Sequence, residues 1–223
     1  MDDPKPPPAT VFLRPMGSPV ALGLAGLTGA SLVATGMELG WVAAPERHKA
    51  ALILLAFPFP LQLAASLLAF AARDGAAGTA LGLLSGTWLA TALVWLSSPP
   101  GAVSGALGLL LLVSATLLAT TGVATLRNKM LLGLVFVVEG IRFACAAIHE
   151  LGAAAGWQDA AGVIGIAVVV LAGYGVAALV LEESSNRTIL PLGRREGAAD
   201  AITAPFADQL APVANEAGVR QQL

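Results

Sequence analysis

Apolar runs recur six times along the chain, at about 20–42, 50–72, 78–96, 102–123, 130–155 and 160–181. A helix rises about 1.5 Å per residue, so each run is long enough to cross the roughly 30 Å hydrocarbon layer of a bilayer. The joints between them carry breaker and turn residues. These are Ala44-Pro45-Glu46-Arg47-His48-Lys49, Arg73-Asp74-Gly75, Ser97-Ser98-Pro99-Pro100-Gly101, Arg127-Asn128-Lys129 and Gly156-Trp157-Gln158-Asp159. The pattern predicts an all-α, polytopic membrane protein with six transmembrane helices whose sequence neighbours pack antiparallel. It divides the chain into a Pro-rich tail at 1–17, a membrane domain at 18–193 and a polar, Ala/Pro-rich tail at 194–223. The opening MDDPKPPPATVFLRPM lacks the basic segment and directly following apolar core of a signal peptide, so it is expected to be retained.

Composition points the same way. Hydrophobic residues make up 57% of the chain and charged ones 12%, with a mean hydropathy of +0.79, far from the balance of a water-soluble domain. Ala, Gly and Leu dominate and aromatics are 5%, which favours close backbone approach between helices. The ridges Gly78, Gly82, Gly86 and Gly36, Gly40 fit that packing, either within one protomer or between copies. A net charge of −2 and the absence of a dense basic run argue against a nucleic-acid partner. Cys145 is the single cysteine, so no intramolecular disulfide forms. No residue spacing implies a metal or cofactor, and no nucleophile–base set implies an enzyme.

Lys5, Arg14, Arg73, Arg127, Lys129, Arg187, Arg194 and Arg195 fall on one side of the six runs, against Arg47 and Lys49 on the other. The positive-inside rule therefore puts both termini in the cytoplasm, and a cell-membrane location is expected. Residues 21–35, ALGLAGLTGASLVAT, match 106–120, ALGLLLLVSATLLAT, at nine of fifteen positions. The shift of 85 residues carries the first three runs onto the last three. With three crossings per half, the halves would be inverted, suggesting a 3+3 inverted repeat with a site between them.

The fifth run contains VVEGIRFACAAIHELG. Glu139, Arg142 and His149 lie at i, i+3 and i+10, on one helix face. Unpaired charge in hydrocarbon costs at least about 2.5–3.5 kcal/mol, so this face should meet protein or a wet cavity. Counted from the cytoplasmic helix ends, Glu139 lies about 14 Å deep, Gln62 about 15 Å and Arg142 about 18 Å. Glu38 and His149 come out near 27–29 Å and form a second, outer layer. Two readings stand: a self-neutralising Glu139–Arg142 pair, or an Arg142 that anchors an anionic solute while Glu139 or His149 exchanges protons. Phe57-Pro58-Phe59-Pro60 predicts a bend or break in the second run beside Gln62.

Arg187-Thr188-Ile189-Leu190-Pro191-Leu192-Gly193 after the last run, and Ser18-Pro19-Val20-Ala21-Leu22-Gly23-Leu24 before the first, resemble the closing and opening motifs of the acetate uptake transporter family, which includes bacterial succinate-acetate permeases. The resemblance covers about 17–193 and implies a homo-hexamer whose protomers each have a narrow pore for small monocarboxylates. Ser18 and Ala21 depart from the opening motif, Gly75-Ala76-Ala77 from a Gly-Asn-Thr, and Ala69 from a glutamate, whereas Gln62 matches. The constriction implied by the resemblance falls at Leu27, Ser85 and Glu139, which makes it more polar than the family's.

The sequence thus predicts a channel or transporter for a small weak acid such as acetate, either passive or coupled to protons by symport, with Glu38, Gln62, Glu139, Arg142 and His149 along the path. A channel for a small neutral solute (urea, an amide, ammonia) and a non-transporting scaffold subunit are the alternatives. The topology has a direct check: a cysteine placed in the C-terminal tail of intact cells is expected to resist a membrane-impermeant thiol reagent. Labelling from outside would invert the assignment.

Overall fold

The computed structural model describes residues 17–199, apart from Ala153 and Asn186. Within them lie helices α1 (Pro19–Glu38), α2 (Arg47–Ala56), α3 (Pro58–Ala71), α4 (Gly75–Ser97), α5 (Gly105–Leu126), α6 (Met130–Glu150) and α7 (Gly156–Ser185), with a short 3-10 turn at Ala44–Glu46. The turn, α2 and α3 form one interrupted span, so among the described residues six segments are long and apolar enough to cross a membrane. The predicted tails at 1–17 and 194–223 lie almost wholly outside the described residues.

Helix ends correct the predicted boundaries. The first span stops at Glu38 rather than 42 because Gly40 takes φ +69° and turns the chain. The fourth starts at Gly105 rather than 102 because the Ser104 side chain caps it, accepting from Leu107 N at 3.3 Å. The fifth ends at Glu150 rather than 155, before Gly152 at φ +94°. The second begins earlier than predicted, at 44, and the third and sixth extend beyond their predicted limits at both ends. The bend in the second span is a true break: Pro58 and Pro60 lack the N–H groups that would pair with the Leu54 and Ala56 carbonyls.

The spans close a ring. α1 packs on α3 and α7, α4 packs on α2, α3 and α5, and α6 sits between α5 and α7. The α5–α6 seam is the most intimate. A Cβ on Gly140 would lie 2.9 Å from the Ala115 carbonyl oxygen, one on Gly133 2.6 Å from Leu126 N, and one on Gly122 2.8 Å from Val137 N. Such contacts are backbone to backbone, so only glycine fits, and dispersion between closely opposed helices replaces the hydrophobic drive that lipid does not supply. The predicted ridge at Gly78 and Gly82 packs within the protomer, against Phe70 and Ser66 of α3, while Gly86 meets nothing within 4 Å.

The segment after α7 folds back over the start of α6. Leu192 and Gly193 carbonyls accept from Leu131 N at 3.3 Å and Met130 N at 3.1 Å, which caps a helix whose flanking residue Lys129 offers no side-chain cap. Gly193 holds φ +64°, and a Cβ there would lie 2.8 Å from Met130 Cβ. Arg194 pairs with Glu182 at 2.7 Å, and Lys129 pairs with Asp74, fastening the strap beside the helix ends.

Gly140→Leu should prevent the α5–α6 seam from closing, whereas Gly86→Leu should be tolerated. Thermal unfolding in detergent and the yield of monodisperse protein test the contrast. Equal yields for the two variants would mean that the seam is not what holds α6.

Candidate functional site

α6 carries Glu139 and Arg142 into the interior with relative exposures of 0% and 1%. Arg142 donates through Nη1 to Glu139 Oε1 at 3.1 Å and through Nη2 to Glu38 Oε1 of α1 at 2.8 Å. Its guanidinium also lies 5.6 Å from the Trp88 ring and 6.0 Å from that of Phe143, rings that meet edge to face at 5.4 Å. The planar fork and the aromatic contact suit an arginine held out of water. Ser31 of α1 faces the Glu139 carboxyl. Gly165 of α7 keeps space for the group, since a Cβ there would lie 2.8 Å from Arg142 Nε and would collide with the Thr35 hydroxyl.

The sequence expectation of separate inner and outer layers is therefore corrected. Depth counted at Cα positions separates Glu38 from Arg142, but the long arginine side chain spans that separation and joins them. The expected Glu139–Arg142 pair is present, and Glu38 adds a second carboxylate to it, so the cluster has two carboxylates to one guanidinium. Both Nη atoms are engaged by carboxylates, while the Arg142 Nε has no hydrogen-bond partner in the protein.

Other expected residues are distributed around this cluster. Gln62 is fully buried and its amide donates to the Gly23 carbonyl at 3.4 Å, without bonding to Glu139 or Arg142. Leu27, Ser85 and Glu139 are all buried, one each on α1, α4 and α6. The Ser85 hydroxyl donates to the Phe59 carbonyl beside the break, at 3.0 Å. His149 is half-buried at the end of α6.

Two cavities open toward opposite ends of the ring. The cavity at the end away from α7's C-terminus has a volume of about 290 Å³ and is lined by Glu38, Trp88, Thr91, Trp95, Arg142 and His149 among others. The second, of about 150 Å³, lies beside the strap and is lined by Leu24, Leu132, Asp74, Lys129 and Arg194 among others. From Leu24 to Ala34 on α1, and from Leu132 to Arg142 on α6, ten residues separate the cavities, a closed layer about 15 Å thick. Leu27, Leu81, Leu84, Val135 and Phe136 are fully buried within that layer, so its half nearer the strap is mainly apolar, with the Gln62 amide beside Gly23 as a buried polar group there.

The larger cavity's mouth is stapled by charge. Arg47 donates to the Ala102 carbonyl at 2.8 Å, lies 3.7 Å from Glu150 and stacks 5.1 Å from the Trp95 ring. Glu150 in turn accepts from Ser104 N at 2.6 Å, at the start of α5, where a carboxylate complements the helix dipole. Sequence reasoning left Arg47 in an outer loop and did not single out Trp88, Thr91 or Trp95. Their i, i+3, i+7 spacing on α4 was the available signal, and it reads equally well as core packing.

Residues 2–193 match the model of the GPR1/FUN34/yaaH family. A solved structure described as that of the bacterial acetate channel SatP is similar to this chain, with a TM-score of 0.71 and 25% identity, over 80% of this chain and 100% of its own. Among curated proteins, none matches the chain.

The cluster's stoichiometry sets an order of damage. Arg142→Gln leaves two buried carboxylates without their cation and should cost about 3–5 kcal/mol, whereas Glu139→Gln leaves the Arg142–Glu38 pair balanced. Unfolding temperature and the yield of folded protein should fall sharply for the first variant and little for the second. Restoring yield in the double variant Arg142→Gln/Glu139→Gln would identify Glu139 as the stranded charge; equal damage from both single variants would contradict the three-membered arrangement.

Proposed function

The chain belongs to the GPR1/FUN34/yaaH family and is an integral membrane channel or transporter, and from that premise we propose that its solute is acetate or a weak acid of similar size. The observation that carries this reading is the pair of opposed cavities in one helix ring, separated by a closed layer that contains Glu139. The path runs past Glu38, His149 and Arg142 into the constriction at Leu27, Ser85 and Glu139, with Gln62 bracing α3 against α1. Arg142 orders the path by fixing Glu38 and Glu139. The acid crosses the mainly apolar half of the layer in neutral form, so a proton accompanies it; a bare carboxylate would meet Leu27, Val135 and Phe136 at a high desolvation cost.

The working unit in this proposal is a homo-hexamer in the cell membrane, with both termini cytoplasmic and a separate path in each protomer. Exposed apolar side chains along α5 and α7, such as Leu109, Val113, Val163 and Val170, support a lipid- or protomer-facing role for those helices. A second reading, a channel for small neutral solutes, is favoured by the engagement of both Arg142 Nη atoms.

Proteoliposome flux separates them. Acetate uptake should be saturable, rise as the external pH falls and alkalinise the outside medium, and Phe136→Trp should block it. Flux of acetamide or urea without flux of acetate would replace the first reading by the second, and failure to move any of these would remove both.

A further inference from the structure

The two parts of the broken span are held to the ring in different ways. α3 is bonded along its length: the Ser66 hydroxyl donates to the Gly78 carbonyl at 2.7 Å, the Gln62 amide reaches the Gly23 carbonyl, and the Phe59 carbonyl accepts from Ser85. α2 has no such bonds beyond its start. Residues 50–57, AALILLAF, carry no polar side chain, and Lys49 pairs with Glu46 in the turn before it. Of these apolar residues, the helix buries only Ala50, Ala51 and Leu54, two of them too small to remove much surface from lipid or water.

Both ends of α2 are joints. At one end Gly40 turns the chain at φ +69° ahead of the 3-10 turn, and at the other Pro58 and Pro60 supply no N–H to the Leu54 and Ala56 carbonyls. The Phe57 ring beds into a notch on α1, where a Cβ on Gly29 would lie 2.7 Å from it. A short rigid helix with a seated pivot is a lever.

The free end of the lever is fastened by its first two residues. Arg47 reaches the Ala102 carbonyl, the Trp95 ring and Glu150, and the Nε2 of His48 lies 3.3 Å from the Ser98 carbonyl. Ala44 and Arg47 on one side and Gly101 and Ala102 on the other all line the larger cavity, so the fastening crosses its rim. Release of Arg47 leaves Glu150 bonded to Ser104 N, and the ends of α5 and α6 stay as they are.

We propose that α2 is a lid on the larger cavity, pivoting at the Phe57–Pro60 break and latched by Arg47, and that the cavity exchanges with the solution at its end of the ring when the latch opens. As a gate the lid rests on the reading of this cavity as one mouth of the solute path. As a moving part it does not.

Thiol labelling of purified protein in detergent tests the lid without requiring transport. In a Cys145→Ser background, Thr91→Cys places a thiol on the cavity wall, and Ser66→Cys places one on α3, beyond the pivot. Methyl methanethiosulfonate is the probe, since it is uncharged and its approach does not depend on the charge of Arg47. Arg47→Gln should raise the labelling rate at position 91 at least about tenfold, the scale of a hydrogen bond made by a charged group, and leave the rate at position 66 within about twofold. Loss of a nearby cation disfavours the thiolate, so electrostatics alone would slow the reaction at position 91.

Restoring the donors at the pivot should act in the opposite sense. Pro58→Ala/Pro60→Ala should stiffen the joint and slow labelling at position 91 at least about threefold. An unchanged rate at position 91 in either variant overturns the proposal. So does equal acceleration at positions 91 and 66, which would make Arg47 a brace for the whole ring. Should Arg47→Gln fail to fold, the pivot variant decides alone. The expected labelling pattern in a protein that moves no solute into liposomes would remove the transport reading and leave the lid standing.

Discussion

A guanidinium buried in a membrane protein has few tolerable surroundings, and the arrangement around Arg142 follows from that constraint. Its charge must be matched close by, its N–H groups need acceptors, and lipid supplies neither. Glu139 provides one carboxylate from the same helix, one turn away, and Glu38 provides the other from across the ring. The second bond has consequences beyond electrostatics, because it ties α1 to α6 and so joins one helix from each half of the chain. Trp88 and Phe143 complete the surround with polarisable faces.

Holding that cluster requires α6 to sit at a fixed height and rotation. The glycine seam with α5 removes the freedom to slide, since carbonyls and amides of the two helices nearly touch at Gly122, Gly133 and Gly140. At the other side, α7 approaches closely enough that Gly165 must lack a side chain. The broken span contributes differently. It gives up helical hydrogen bonds at Pro58 and Pro60, and Ser85 of α4 donates to the Phe59 carbonyl beside the break.

The spans were legible in the sequence because apolar runs of roughly twenty residues suit the interior of a bilayer and little else, and the stripe was legible because charge there is expensive. Boundaries were less so, as they depend on left-handed glycines and caps whose effect is local. The Glu38–Arg142 bond escaped a depth count that measured backbone positions and ignored arginine's reach. The α5–α6 seam was written in the seven-residue spacing of Gly133 and Gly140 and the fourteen-residue spacing of Gly108 and Gly122. Among so many glycines, however, the denser Gly78, Gly82, Gly86 series is the more conspicuous. Trp88 and Trp95 were hidden by ambiguity, for an inward tryptophan pair looks the same whether it fills a core or borders a cavity.

The strap that crosses the start of α6 has a consequence for how the molecule is made. The first amide groups of α6 find their acceptors only in Leu192 and Gly193, which leave the ribosome some sixty residues later than Met130. Until then the helix bearing Glu139 and Arg142 can be inserted but not locked. Completion of its first turn, and with it the final register of the charged cluster, waits for the polypeptide to emerge past its last membrane crossing, so biosynthesis closes the ring from the end of the chain backward.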